Sequence, residues 1–136
     1  MTMTHQRADD TLTDALKGTA TPHVWLHTGD PGAAGTANVA QLSTADIVRK
    51  AVTFGDISNH AENDERTVLN SAAVEWTGEE IDAGENITHF SIWDGSTEGQ
   101  PEFTSTVVEA KQTGSDGVVI NIGDLEVAIS VHAKPA

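Results

Sequence analysis

The chain of 136 residues contains no cysteine and no tyrosine, and its aromatic residues are limited to three tryptophans and three phenylalanines. Without cysteine it can form no disulfide, offers no thiol nucleophile and lacks thiolate ligands for a metal. The fold must therefore be held by the packing of apolar side chains or by contacts with neighbouring subunits. The length corresponds to one compact domain, or to one domain with an arm.

Basic residues are scarce, because only seven Lys and Arg accompany 21 Asp and Glu, and the formal charge is −14. A surface this negative repels phosphate groups, which excludes nucleic acids and anionic membranes as expected partners. An acid-coated, lysine-poor surface stays hydrated at molar ionic strength, where salt screens charges within about 3 Å. The composition therefore indicates a halophilic source.

Long apolar runs are also missing. No segment approaches the roughly 18 apolar residues of a transmembrane helix, and the first residues lack the apolar segment of a signal peptide. The six histidines show no ligand spacing, because His23 and His27 would lie about 13 Å apart on one face of a strand. We therefore expect no membrane partner, no metal and no cofactor.

None of the sequence patterns of hydrolytic, phosphate-binding or dinucleotide-binding sites occurs, so we predict no catalytic residues and no enzyme activity. One alternative is a carbohydrate-binding role, because indole rings can serve as stacking platforms. Trp25 and Trp76 are the candidates for glycan stacking. Trp93 lies in an apolar segment and is expected in the core.

Residues 1–22 are predicted to form an N-terminal arm with a short helix that is capped by Asp9 or Asp10. The apolar face of this helix consists only of Leu12, Ala15 and Leu16, too little to hold an isolated helix of about ten residues in water. We therefore predict that Leu12 and Leu16 contact a neighbouring subunit and that the chain is a homo-oligomer.

Residues 23–136 show the period-two alternation of β-strands and are predicted to form the main domain. About seven short strands separated by Gly, Asp and Asn turns predict a mainly β fold, an antiparallel β-sandwich or jelly-roll-like barrel. The predicted strands span residues 23–28, 48–54, 67–76, 86–93, 103–109, 118–122 and 125–132.

The alternation also assigns faces to these strands. In the last strand, Leu125, Val127, Ile129 and Val131 are expected to be buried. In the second strand, Arg49 is expected on the face opposite the apolar residues.

Residues 29–38 form a loop rich in turn formers. Asp30 can accept backbone hydrogen bonds, Pro31 fixes its own φ angle, and Gly32 and Gly35 permit positive φ. We expect an ordered turn that contacts a neighbouring subunit through Asp30 and Pro31.

Four segments along the chain occur in a characteristic order and spacing. They read VWLHTGDPG at 24–32, GTAN at 35–38, RKAVTFG at 49–55 and ITHFSIWD at 87–94. In this pattern the chain resembles a family of short virion proteins of tailed viruses, whose members are labelled tail-fibre-like or minor structural proteins.

The resemblance implies a non-enzymatic structural protein on the exterior of a virion that is assembled in the host cytoplasm. A single domain without shaft repeats has little length to make a fibre by itself, which favours decoration of the head as a minor capsid protein. The alternatives are a tail-fibre or baseplate component and a receptor- or carbohydrate-binding module. The implied partners are further copies of the chain and the major capsid or tail proteins, in a virus of a halophilic host if the acidic surface has that origin.

Overall fold

The computed structural model of the protein describes residues 3–18, 21–40, 49–60 and 64–131. These residues form one helix and nine strands, so the prediction of a mainly β fold is confirmed. The elements are α1 His5–Leu16, β1 His23–His27, β2 Lys50–Ala51, β3 Ser58–Asn59, β4 Glu65–Leu69, β5 Val74–Thr77, β6 Asn86–Trp93, β7 Pro101–Gln112, β8 Gly117–Ile120 and β9 Glu126–Ser130.

The strands form three antiparallel sheets in the described residues. The largest has the order β2-β1-β6-β7, the second has the order β3-β4-β9, and β5 pairs with β8 in the third. Side chains from all three sheets and from α1 join in one apolar core, which includes the fully buried Phe90, Trp76 and Leu125. The sheets therefore share a single hydrophobic interior.

The predicted strand at residues 67–76 is wrong, because two strands, β4 and β5, occupy this region. The side chain of Asn70 is the physical reason for the break. Its amide nitrogen donates to the carbonyl oxygens of Ala72 and Asn121, and its amide oxygen accepts from the backbone of Gly123 and Leu125. These four bonds tie the end of β4 to the turn before β9 and bend the chain there.

Helix α1 begins earlier than predicted, because Thr4 and not Asp9 or Asp10 is the N-cap. The Thr4 hydroxyl oxygen accepts from the backbone N–H of Arg7 at 3.2 Å, the usual geometry of a threonine cap. Asp9 instead lies within the helix, where its carboxylate accepts from the Arg66 guanidinium of β4 at 2.7 and 3.0 Å.

Leu12 and Leu16 lie in the core of their own chain, with 0% and 3% of their surface exposed. The earlier start of α1 adds Ala8 to the buried stripe, so the helix has an apolar face long enough to pack on the β domain. Since these two leucines are covered by intrachain contacts, they are not available as the subunit contacts that the sequence suggested.

Leu125, Val127 and Val131 are buried as predicted, but Ile129 is only partly buried. All but Leu125 lie on or just beyond β9, which is an edge strand of its sheet. Two predicted strands extend beyond the described residues. The strand at 48–54 begins at position 48 and the strand at 125–132 ends at position 132, and both positions lie outside the described residues.

The second predicted strand is reduced to β2, which has two residues and lies at the edge of the largest sheet. Val52 and Phe54 are buried, as the alternation indicates. Arg49 lies on the face opposite Val52 and Phe54, as predicted, but it is also buried, with 8% of its surface exposed. Arg49 is buried because it belongs to a covered cluster of side chains on the second face of this sheet.

Candidate functional site

The largest sheet has two faces that differ in chemistry. Val24 and Leu26 of β1 pair with Ile92 and Phe90 of β6 and point into the apolar core, which we call the inner face. The alternate residues lie on the opposite, outer face. Together with Arg49 they form the outer cluster, whose members are Trp25, His27, Arg49, Ser91 and Trp93.

A chain of hydrogen bonds connects three side chains of the outer cluster. The Trp93 indole N–H donates to Ser91 Oγ at 2.8 Å, and Ser91 Oγ lies 2.7 Å from His27 Nε2. His27 Nδ1 lies 2.7 Å from the carbonyl oxygen of Ala37. Since the carbonyl can only accept, Nδ1 carries the proton, and the Ser91 hydroxyl donates to Nε2.

The imidazole of His27 is therefore held as one neutral tautomer. Burial lowers its pKa from the ordinary value of 6.5, the hydrogen bond to Ala37 opposes this shift, and the nearby His89 adds to it. In this state every polar atom of the hydrogen-bond chain that runs from the Trp93 indole to the Ala37 carbonyl has a partner. Buried polar groups require such partners.

The Arg49 guanidinium stacks on the two tryptophans of the cluster. Its central carbon lies 3.7 Å from the ring centroid of Trp93 and 4.8 Å from that of Trp25. The guanidinium also donates to the carbonyl oxygens of Gly95 and Glu98. Burial lowers the pKa of Arg49 and the charge of Asp94 raises it, but an arginine side chain stays protonated in proteins. Arg49 thus fixes the turn that follows β6.

The loop at residues 29–38, which we call the cover loop, closes over the outer cluster. Asp30 Oδ1 accepts from the backbone of Gly32 at 2.8 Å, and Gly32 and Gly35 have φ angles of 74° and 70°. A Cβ on Gly35 would lie 3.1 Å from the Trp93 ring, so the backbone approaches the indole closely. The prediction of an ordered turn is confirmed.

Asp30 and Pro31, the predicted subunit contacts in this loop, have different environments. Asp30 is exposed, whereas Pro31 is buried in its own chain. Asn38 donates from its side chain to the carbonyl oxygen of Asp30 at 3.0 Å and holds the two ends of the loop together. A contact between Asp30 and a second subunit stays a prediction.

An open groove of about 320 Å³ lies between the cover loop and β7. Its lining is mostly polar and consists of Asp30, Pro31, His89, Thr104, Ser105 and Thr106. His89 lies on the outer face, with His27 as its β1 partner and Thr106 as its β7 partner. The groove is therefore the accessible continuation of the buried outer cluster.

Trp25 and Trp76, the candidates for glycan stacking, are buried, with 6% and 1% of their surface exposed. Trp25 belongs to the outer cluster and Trp76 to the apolar core. Neither indole offers the open ring face that stacking requires. A carbohydrate site on this chain would have to use other side chains.

The pair of Ser91 and His27 resembles a nucleophile beside its base, with Ala37 in the place of the group that orients the histidine. Both side chains have 0% of their surface exposed. A substrate cannot reach Ser91 Oγ there, and the indole of Trp93 already occupies its acceptor position. We therefore assign the pair a structural role.

Two further features bear on function. Within the described ranges, no three His, Asp or Glu side chains come together as a metal site would need. The helix in this part of the chain is too short and too polar to cross a bilayer.

The outer cluster was not predicted from the sequence, where Ser91 had no assigned role and nothing indicated that Arg49 is buried. The available signal was the alternation of Trp25 with His27 and of Ser91 with Trp93, which places large and polar groups on one face of adjacent strands. Three of the four segments that carry the virion resemblance contribute directly to the outer cluster, and the fourth, at 35–38, supplies the Ala37 carbonyl.

Comparison with known proteins agrees with that resemblance. No curated protein matches the chain. A family model described as podophage GP4 fiber I protein gp80 matches residues 4–128, more than nine-tenths of the chain. The match includes α1, all nine strands except the end of β9, and the whole outer cluster. The protein is therefore a phage virion protein and belongs to the podophage GP4 fiber I protein gp80 family.

Proposed function

We propose that the protein is a non-enzymatic structural component of the tail fibre or baseplate of a podophage. The observation that carries this proposal is the family match over residues 4–128, whose description names a fiber protein. That description favours the tail over the head, which was the first expectation from the sequence. The compact core and the turns that are held by side-chain hydrogen bonds suit a rigid subunit of a particle.

Electron microscopy of intact particles labelled with an antibody fragment against this chain tests the location. We expect the label on the tail or its fibres. Label on the capsid surface would instead support head decoration, and particles that contain none of the chain by mass spectrometry would contradict a structural role. Particles stripped of tails serve as the control, because they should lose the label.

We infer in addition that the chain acts as a homo-oligomer joined to tail proteins. A structural protein of a symmetric particle is present in several copies, which favours contacts between identical subunits. Light scattering on the purified chain should give a mass that is a multiple of 14.3 kDa. A monomer at all concentrations would mean that the other tail proteins, and not further copies, provide its contacts.

The excess of acids supports adaptation to high salt as part of this proposal. Lys17, Lys50, Arg66 and Lys111 each pair with an acid in the described residues, while the formal charge of the chain is −14. Salt should relieve the repulsion among the remaining acids. We expect the melting temperature to rise between low and molar potassium chloride, and an unchanged value would contradict adaptation to salt.

A further inference from the structure

We propose that the groove between the cover loop and β7 binds a neutral saccharide. This inference deepens the proposed function. It rests on that function in one respect, which is that a protein of the particle exposes this groove to the outside. The stacking platforms expected from the sequence, Trp25 and Trp76, are buried, so a saccharide would be held by hydrogen-bonding groups.

The groove brings together acceptors and donors of the kind that ring hydroxyl groups need. Asp30 uses Oδ1 to accept from the backbone of Gly32, and Oδ2 makes no hydrogen bond to any described residue. Thr104 and Thr106 are exposed on the same face of β7, and each hydroxyl can both donate and accept. A carboxylate oxygen next to two hydroxyls can bind neighbouring hydroxyl groups of one sugar ring, with the charge of Asp30 strengthening its bonds.

His89 supplies a further polar atom to the groove. Its Nδ1 lies 2.8 Å from the hydroxyl of Thr88, which orients the ring, and its Nε2 has no hydrogen-bond partner among the described residues. Pro31 also lines the groove, but it is buried and supports the wall without offering an open ring face. The lining is mostly polar and offers several hydrogen-bonding groups, which suits a ligand rich in hydroxyl groups better than an apolar one.

The walls of the groove are fixed before any ligand binds. The cover loop is held by the bond from His27 to Ala37 and by the bond from Asn38 to Asp30, and the opposite wall is a strand of the largest sheet. Little ordering is therefore required on binding, which favours affinity in a shallow site. The volume of about 320 Å³ is at the low end of small-molecule sites, so it suits one or two sugar units.

Charge selects neutral ligands over acidic ones. The chain carries a formal charge of −14, and the carboxylate of Asp30 lies in the groove itself. An acidic sugar would bring a second negative group next to this carboxylate, which is unfavourable. The proposal is therefore specific to neutral saccharides.

Saturation-transfer NMR on the purified full-length chain tests the proposal. The probes are glucose, galactose, mannose and N-acetylglucosamine with their disaccharides, and glucuronic acid and N-acetylneuraminic acid as acidic counterparts. We expect transfer to at least one neutral saccharide and none to the acidic probes. No transfer to any neutral probe, or equal transfer to acidic ones, would overturn the proposal.

Variants locate the binding on the groove. The double variant Thr104→Val, Thr106→Val and the single variant Asp30→Asn should each weaken binding about tenfold, because each loses hydrogen bonds to the ligand. Asp30→Asn keeps an oxygen for the backbone of Gly32, so the cover loop stays closed. The matched control is Thr53→Val, an exposed threonine outside the groove, which should bind as the parent chain does.

Equal binding by the parent chain and both groove variants would place the ligand elsewhere and overturn the proposal. Melting curves of all variants confirm that they are folded, since the substituted side chains are exposed. Because binding is measured on the isolated chain, its failure leaves the tail location to be decided by particle labelling. A label on the head would leave the binding result unchanged.

Discussion

The inner and outer faces of the largest sheet are both buried, but different forces bury them. On the inner face, Val24, Leu26, Phe90 and Ile92 have 0% of their surface exposed and contact other apolar side chains. On the outer face, the cluster around Arg49 is held by stacking and by hydrogen bonds. The same two strands are therefore held by non-directional apolar packing on one face. On the other face they are held by directional hydrogen bonds and stacking.

The two faces therefore tolerate different substitutions. Apolar packing depends mainly on volume and shape, so substitutions that conserve both cost little. The hydrogen-bond chain from Trp93 through Ser91 to His27 depends on donors and acceptors, so even a change of one atom leaves buried groups unpaired. The outer face also positions the cover loop, and through it the groove.

The largest expected effect is on the inner face. Phe90→Ala should lower the free energy of unfolding by about 3 to 5 kcal/mol, because it removes a fully buried ring and leaves a cavity. Urea denaturation followed by tryptophan fluorescence measures the loss. Phe90→Leu is the control and should cost much less. Equal losses for the two variants would show that this face is not governed by volume.

Arg49→Ala should have the next largest effect, a loss of about 2 to 3 kcal/mol, because stacking on Trp93 and two bonds to carbonyl oxygens disappear. Arg49→Lys separates charge from geometry, since lysine keeps the charge but has neither the planar group nor its fork of donors. We expect Arg49→Lys to lose most of the same stability in thermal denaturation. Arg7→Ala, at an exposed arginine of α1, should change stability by less than about 0.5 kcal/mol. Full stability of Arg49→Lys would contradict the directional description of the outer face.

Ser91→Ala tests the hydrogen-bond chain itself. It deprives the buried indole of Trp93 of its acceptor and His27 of its donor, and should cost about 1 to 3 kcal/mol although it removes a single oxygen. Chemical denaturation measures the loss, and Ser96→Ala in the exposed turn is the matched control. If both serine variants are equally stable, the hydrogen-bond chain through Ser91 contributes nothing to the stability of the fold.

The sequence predicted those parts of the fold that depend on local alternation. The strand at residues 86–93 coincides with β6, and the last predicted strand includes β9. Alternation placed Arg49 on the face opposite Val52 and Phe54, where it does lie, but alternation does not show that this face is covered. The covering residues come from the loop at 29–38, which is adjacent in space and not in sequence.

Two other errors have similarly specific causes. Asn70 fits the alternation of a strand, but its four side-chain hydrogen bonds reach residues 72 and 121 to 125 and end β4. The groove could not be predicted either, because Asp30, His89 and Thr104 are brought together only by the pairing of β6 with β7 and by the closed loop. The segments that carry the virion resemblance contain the outer cluster, but they were not used to locate it.

The smallest expected effect is a pH dependence that comes from His27. Its pKa is lowered in the folded chain by burial, so between the folded value and the ordinary value of 6.5 the unfolded chain binds more protons. The contribution of His27 to stability is therefore complete above pH 6.5 and is lost as the pH falls through the folded pKa. A second proton on the ring would also put two donors, His27 Nε2 and the Trp93 indole, on Ser91 Oγ.

Melting curves from pH 8 to pH 5 measure this effect when wild type is compared with His27→Gln. His89 lies beside the ring and its charge acts on His27, so the quantity to compare is the difference between the two slopes. Wild type should lose stability more steeply below pH 6.5, by at most about 1.4 kcal/mol per pH unit, the limit for one proton. His89→Gln is the control and should keep most of the wild-type slope. Parallel curves for wild type and His27→Gln would mean that the outer face accommodates a charged histidine. The hydrogen bonds of the outer face would then be less directional than described, and the contrast with the inner face would be weaker.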